Sequence, residues 1–111
     1  MALSAIGASP SDVLDAYLAA LTAKDCATAS KLTTRTFTHG NGELCGDVTI
    51  DSFARTAGGA ANGNEFEHGV VLHVVAGSKD GTVPAGDVTW FYALRYQPDG
   101  SWELVGGGSG P

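Results

Sequence analysis

The 111-residue chain has little positive charge: six Lys and Arg stand against twelve Asp and Glu, for a formal net charge of -6 at pH 7. Proteins that bind nucleic acid or anionic lipid draw their affinity from clustered cations, and the six cations here are scattered along the chain. The sequence also lacks any apolar run near the roughly 20 residues that cross a bilayer. We therefore expect no nucleic-acid partner and no direct membrane insertion.

The common motifs of enzyme chemistry are missing as well. The chain has no nucleophile elbow, and the glycine run near its end lacks the Lys-Ser/Thr of a phosphate loop. His68 and His73 are five residues apart in a segment with strand periodicity, so they should face opposite sides of a sheet and cannot chelate one ion. We expect neither a metal site nor a cofactor.

Only two cysteines occur, Cys26 and Cys45. Both lie in polar, loop-like surroundings, which favours a disulfide; its closed loop of about 20 residues would stabilise the fold by roughly 3 kcal/mol on a chain-entropy estimate. The alternative is a pair of unrelated buried thiols, since free cysteine packs as a small hydrophobe. A disulfide would indicate an oxidising compartment.

In the first part of the chain the apolar residues recur at helical spacing. Ser9, Pro10 and Asp12 are helix-start signals, and the apolar residues that follow recur at helical intervals: Val13, Leu14, Tyr17, Leu18 and Leu21. They predict a helix over residues 10–23, followed by a short helix that Asp25 can cap. The β-branched residues at 33–38 predict a short strand. Thr49 is interpreted as the cap of a third helix over residues 50–57.

From Phe66 onward the apolar period changes to two, which predicts antiparallel strands. Alternate residues should share one face, in the first strand Phe66, His68, Val70, Leu72 and Val74, and in the second Val88, Trp90, Tyr92, Leu94 and Tyr96. A turn at residues 97–100 leads to a third strand with Trp102 and Leu104. Large apolar groups occupy both faces of the middle strands, so one face should cover the helices. The other should meet a partner, and we expect a homodimer through it.

Two segments carry a resemblance to a known family. Residues 13–25 read Val-Leu-Asp-Ala-Tyr-Leu-Ala-Ala-Leu-Thr-Ala-Lys-Asp, and residues 95–105 read Arg-Tyr-Gln-Pro-Asp-Gly-Ser-Trp-Glu-Leu-Val. Their order and spacing resemble the NTF2-like (cystatin-like cone) superfamily, which is related to ketosteroid-isomerase and SnoaL-like proteins. The cysteine pair looks like that of secreted bacterial members of undefined function. The resemblance implies an α+β cone of two to three N-terminal helices packed on a curved antiparallel sheet. That domain would cover residues 9–106, between a flexible N-terminus, 1–8, and a flexible Gly-rich tail, 107–111.

The same resemblance implies a concave pocket between the helices and the sheet. The residues expected to line it are Tyr17, Leu21, Phe37, Trp90 and Tyr92, each of which also fits ordinary core packing. Tyr17 lies where isomerase-like members place the phenol that donates to a developing enolate oxygen. The carboxylate base of those enzymes is missing here, since no acid precedes Glu43 in that region. His39 could replace it, having a suitable intrinsic pKa, although it equally fits a solvated loop.

Two functions follow from these observations. The first is a non-catalytic binding module of an exported bacterial protein, with a small apolar ligand or a peptide as partner. The second is a small-molecule enzyme of the isomerase, cyclase or hydrolase type, with Tyr17 as oxyanion donor and His39 as base. The missing base and the paired cysteines favour the module and an extracytoplasmic location. The first residues are too short for a signal peptide, so a cytoplasmic protein stays open as an alternative.

Overall fold

The computed structural model describes residues 9–38, 42–56 and 60–108. Two helices precede an antiparallel sheet, and the elements are α1 (Pro10–Thr22), α2 (Cys26–Ser30), β1 (Thr49–Arg55), β2 (Ala60–Asn62), β3 (Glu65–Ala76), β4 (Gly86–Tyr96) and β5 (Trp102–Gly108). The expected α+β class, with N-terminal helices on an antiparallel sheet, is confirmed; the cone of the NTF2-like fold is not. Residues 1–8 and 109–111, predicted to be flexible, lie outside the described residues.

Helix α1 begins and ends where its sequence predicts. The Ser9 side chain accepts a hydrogen bond from the Asp12 N–H at 3.2 Å, and Pro10 occupies the first turn. Lys24 takes a φ of 58°, a left-handed conformation that cannot continue the helix. The predicted apolar stripe is buried along its whole length, comprising Val13, Leu14, Tyr17, Leu18 and Leu21. Helix α1 therefore anchors the core against the sheet.

The sheet has the strand order β1-β3-β4-β5, and β2 also pairs with β3. We call the face that packs on α1 the inner face and the opposite one the outer face. The alternation predicted for β3 is confirmed, because its inner residues are all buried: Phe66, His68, Val70, Leu72 and Val74. On β4, Tyr92 and Leu94 are buried on the same side, whereas Tyr96, at the end of the strand, is exposed.

Two local predictions are wrong. Residues 50–55 form the strand β1 instead of a helix, pairing antiparallel with β3 from Thr49↔Ala76 to Arg55↔Val70. Ile50 and Phe53 suit a strand as well as a helix, and pairing with the long β3 decides between them. Residues 33–38 do not form a strand. Thr33 makes a single bridge to Leu104, and a turn follows in which the Phe37 N–H donates to the Thr34 carbonyl at 3.1 Å.

The segment after this turn region returns over the end of β5. Gly42 has a φ of +100°, and a Cβ built there would lie 2.2 Å from the Gly107 carbonyl oxygen. The two backbones can approach this closely because Gly42 has no side chain. A Cβ built at Gly107 would meet Trp90 Nε1 at 3.0 Å and lie in ordinary contact with the Gly42 carbonyl oxygen at 3.4 Å. The strand β5 includes Gly107 and Gly108, which the sequence assigned to the tail.

We expect Gly42→Ala to lower the free energy of unfolding by about 2–5 kcal/mol, the combined cost of overpacking and of a left-handed alanine. Gly63→Ala is the matched control: Gly63 has a φ of +62° and nothing within 4 Å of a built Cβ, so it tests the backbone cost alone. Chemical denaturation measures both. Equal losses in the two variants would show that the Gly42–Gly107 contact is unimportant.

Candidate functional site

The residues expected to line an interior pocket fill the interior instead. The rings of Tyr17, Phe37 and Tyr92 form a cluster with centroids 5.9 Å, 5.5 Å and 6.4 Å apart. Leu21 is buried in the same core, and Trp90 packs against it. The structure thus brings these residues together as core packing between α1 and the sheet.

The hydroxyl of Tyr17 is committed to a protein partner. It donates to Glu43 Oε1 at 2.5 Å, and the Cys45 N–H donates to the same oxygen at 2.7 Å. Burial raises the pKa of Tyr17, and Tyr92 and Glu43 raise it further, so the phenol keeps its proton. An oxyanion donor needs a hydroxyl that is free to face a substrate, whereas the Tyr17 hydroxyl is bonded to Glu43. His39, its expected catalytic companion, lies outside the described residues.

Tyr92 is the second buried phenol of this cluster. Its hydroxyl lies near that of Tyr17 but has no hydrogen-bond partner in good geometry among the described residues. Burial, and after it the charge of Glu43, raises the pKa of Tyr92. The two phenols therefore differ in one respect that can be measured. The Tyr17 hydroxyl donates a hydrogen bond to a carboxylate, and the Tyr92 hydroxyl does not.

The cysteines are joined as the disulfide alternative predicts. The sulfurs of Cys26 and Cys45 are 2.06 Å apart, with Cα atoms separated by 5.8 Å. The bond connects the start of α2 to residues 42–48, which we call the cysteine loop. Since Glu43 and Gly42 belong to this loop, it is attached to α2, to α1 and to β5.

His68 and His73 face opposite sides of β3, as predicted. His68 is 6% exposed and stacks on Phe66 with centroids 6.0 Å apart, and neither ring nitrogen finds a hydrogen bond in the described part of the chain. Burial lowers the pKa of His68, and so does the nearby Arg55 guanidinium. The nearby Thr56 backbone raises the pKa of His68 and so offsets part of this lowering, although it does not form a hydrogen bond with the ring in good geometry.

His73 has the opposite environment. It is exposed, and its Nδ1 lies 2.9 Å from the Asp87 carboxylate, whose hydrogen bond raises the pKa of His73. Within residues 9–38, 42–56 and 60–108, no three side chains of His, Cys, Asp or Glu are grouped as metal ligands. Nor does this part of the chain contain a helix that is long and apolar enough to cross a membrane.

A cavity of about 310 Å³ lies against β4 and β5, and we call it the glycine groove; its lining residues are Glu67, Phe91, Tyr92, Ala93, Gly106, Gly107 and Gly108. Its shape follows from the register, because Phe91 lies opposite Gly108 and Ala93 lies opposite Gly106. On the outer face, β5 therefore presents bare backbone beside an aromatic ring. A Cβ built at Gly108 meets nothing within 4 Å, so the groove is open at that point.

Phe91 forms one wall of the glycine groove. It is 39% exposed, and its ring lies over Gly69 of β3, where a built Cβ would come 2.8 Å from Phe91 Cε1. Sequence analysis missed this site because the glycines were assigned to a tail. Extending the hairpin register from the turn at residues 97–100 predicts a strand that reaches the glycines but places Gly107 opposite Phe91. The register shift between Ala93 and Leu94, which brings Gly108 opposite Phe91 instead, has no signal in the sequence.

No family model matches the chain, and no curated protein matches it. Among solved structures, the chain is similar to a SEC-C motif containing protein from Rhodopseudomonas palustris, whose structure was determined in solution. The TM-score is 0.67 at 15% sequence identity, and the match covers 93% of this chain and 80% of that chain. At this identity the likeness concerns the fold alone.

This match corrects the family and the functions expected from the sequence. The matched protein belongs to a different fold family from the NTF2-like superfamily, so that assignment is wrong. An amphipathic helix and an Asp-Gly hairpin, the two features that carried the resemblance, occur in many α+β folds. Nothing supports an NTF2-like binding module or an isomerase-type enzyme either. The filled interior and the engaged Tyr17 hydroxyl give the physical reason.

Replacing Tyr17 by Phe removes the hydrogen bond that holds Glu43. We expect a loss of about 1.5–3 kcal/mol in the free energy of unfolding, the range for bonds to charged groups. Tyr92→Phe is the matched control, since its hydroxyl has no such partner, and its stability should be unchanged or slightly raised. Urea denaturation at neutral pH compares the two. An equal loss in both variants would contradict the assigned role of the Tyr17–Glu43 bond.

The two histidines should change stability with pH in opposite directions. The pKa of His68 is lowered on folding, so its contribution is complete above the unfolded value of about 6.5 and is lost as pH falls below it. His68→Phe should therefore flatten the fall in stability on acidification. The pKa of His73 is raised, so its contribution is present at low pH and is lost as pH rises; His73→Asn should steepen the same fall. Melting temperatures between about pH 5 and 8 provide the test, and identical pH profiles for the two variants would contradict it.

Proposed function

We propose that the chain is a docking domain that binds a cationic, extended segment of a partner protein in the glycine groove. The observation that carries this proposal is the combination of bare glycine backbone, an exposed aromatic ring and a carboxylate in one open cavity. The interior of the described chain is occupied by its own aromatic cluster. We therefore place the binding of a partner segment on the surface of the domain, in the glycine groove.

The charge of the groove supports a cationic partner. Glu67 is the charged residue among those lining the groove, and it is exposed beside Phe91 and Ala93. The cation on this part of β4, Arg95, already faces Glu65 across the strand pair at 3.5 Å. A Lys or Arg side chain is attracted both to a carboxylate and to the face of an aromatic ring. The net charge of -6 strengthens the same preference over a longer range.

The shape of the groove favours an extended chain. Its floor is the backbone of Gly106, Gly107 and Gly108, on which another backbone can lie closely because no Cβ intervenes. In an extended segment alternate side chains point the same way, so a cation at every second position would face the groove. A Lys or Arg in such a segment could then reach Glu67 and Phe91.

A second copy of this chain is the other candidate occupant, and the homodimer expected from the sequence stays a prediction. In a twofold interface centred on the groove, Glu67 of each copy would approach its equivalent. Like charges so placed repel, and the acidic groove supplies no cation to offset them. The cationic segment is therefore the better-supported partner.

An extracytoplasmic location belongs to the same proposal. The joined pair Cys26 and Cys45 is compatible with an oxidising compartment, where disulfides form and persist. A docking domain exposed in such a compartment would meet partner segments on other exported or surface proteins.

The test is an NMR titration of the ¹⁵N-labelled chain with acetyl-Lys-Val-Arg-Val-Lys-Val-amide. We expect saturable shifts of the amides of Glu67, Phe91 and residues 106–108, weakening with added salt. The charge-reversed peptide acetyl-Glu-Val-Glu-Val-Glu-Val-amide should leave these amides unmoved. Equal responses to the two peptides, or shifts confined to other surfaces, would contradict the proposal.

Matched variants test whether the peptide binds in the glycine groove. Glu67→Gln should weaken binding by about two- to five-fold, the worth of an exposed charge pair. Asp51→Asn changes the total charge equally but lies on β1, outside the groove lining, and it should bind like the wild type. Gly108→Leu places a side chain into the open groove and should abolish binding while the fold is retained. Sedimentation of the free chain distinguishes self-association: a dimer that Gly108→Leu dissociates would assign the groove to a second copy.

A further inference from the structure

We propose that the Cys26–Cys45 disulfide is an exchangeable redox bond, and that its reduction by a dithiol alters the glycine groove through the cysteine loop. The disulfide joins an exposed residue, Cys26, to a buried one, Cys45. A dithiol in solution can therefore approach the bond from the side of Cys26. The consequence for binding rests on the docking function proposed above; the consequence for the groove structure does not.

The exchange is a two-electron reduction with a dithiol as co-reactant. One thiolate of the dithiol attacks Cys26 Sγ, the Cys26–Cys45 bond breaks, and Cys45 leaves as a thiolate that takes a proton from water. The second thiol of the reductant loses its proton and attacks the reductant's sulfur in the mixed disulfide, and Cys26 leaves as a thiolate that takes up a proton. The protein gains two thiols and the dithiol becomes a cyclic disulfide.

The cysteine loop is held by the side chains of Leu44 and Val48, which are buried in the core, and by several polar contacts. Glu43 accepts hydrogen bonds from the Tyr17 hydroxyl and from the Cys45 N–H, so one carboxylate oxygen couples the loop to α1. Asp47 accepts from the Lys79 N–H at 3.3 Å in an exposed position. The disulfide is the covalent tie among these contacts. Breaking it releases the loop from α2 and weakens the constraint that holds Cys45 beside Glu43.

The loop also contacts the groove. The Gly42 backbone lies against Gly107, with a built Cβ at Gly42 only 2.2 Å from the Gly107 carbonyl oxygen and 2.7 Å from its Cα. Gly107 lies between the two glycines that face Ala93 and Phe91 across the strand pair. A displaced loop therefore removes a support from the floor of the glycine groove. The path runs from Cys45 through the loop to Gly42 and then to Gly107.

The experiment compares amide spectra of the oxidised chain with those of the chain equilibrated in reduced dithiothreitol. We expect shifts or broadening not only at residues 42–48 but also at residues 106–108, restored on reoxidation. The affinity for acetyl-Lys-Val-Arg-Val-Lys-Val-amide should fall by about five-fold or more, the lower range of measured couplings between sites. Reduction that moves the loop amides but leaves residues 106–108 unchanged would overturn the inference and make the disulfide a purely structural one.

Two variants keep the outcome decisive. The double variant Cys26→Ser/Cys45→Ser should reproduce the reduced spectrum; if it does not fold, Glu43→Gln loosens the same loop with the disulfide intact. Glu43→Gln should shift the same groove amides, and unmoved groove amides would show that the loop does not control the groove. Failure of the oxidised chain to bind the peptide defeats the docking function alone. Binding that is unchanged by reduction defeats the redox coupling alone.

Discussion

The hydrogen bond between Tyr17 and Glu43 is the constraint on which the rest of the structure depends. It joins the middle of α1 to a loop 26 residues further along the chain, and it does so at the boundary of the hydrophobic core. A carboxylate at such a boundary loses hydration, and the cost is met only if donors replace the lost water. The phenol and the Cys45 N–H are those donors. The polar pair thereby positions the loop that carries both Cys45 and Gly42.

This constraint also explains why the interior of the described part of the chain is filled between α1 and the sheet. The Tyr17 ring is tilted by 56° to Phe37 and by 64° to Tyr92, and the three rings occupy the space between α1 and the sheet while the Tyr17 hydroxyl donates to Glu43. The same residues that suggest a pocket in the sequence thus close it in the fold. The glycine groove lies instead on the outer face, where β5 has glycines in place of residues with side chains.

The sequence predicts the parts of this fold that are set by local signals. The cap formed by Ser9, the stripe on α1 and the alternation on β3 are each confirmed, since in these segments the period and the end signals agree. The strand β1 could not be predicted in the same way. Ile50 and Phe53 fit a helical face as well as a strand, and the decision comes from a partner strand more than a dozen residues away.

The candidate site was the least predictable part, for a related reason. A groove made of Gly106–Gly108 has no side-chain signature of its own, and glycines near a chain end are typical of a flexible tail. They form the floor of a groove because the strand register places Phe91 opposite Gly108 and Ala93 opposite Gly106. The cysteine pair was more informative: its polar surroundings favoured a disulfide over two unrelated thiols, and Cys26 and Cys45 are joined.

The likeness to the SEC-C motif protein extends over most of the backbone, yet it transfers no function, since the identity is 15%. Backbone similarity preserves strand order and the position of the helix on the sheet. It does not preserve the side chains that make the groove acidic at Glu67, aromatic at Phe91 and bare at Gly108. Those three properties are independent of the fold and would be lost through single substitutions. The activity of this chain must therefore be argued from these residues, and a relative that shares them would be more informative than one that shares only the fold.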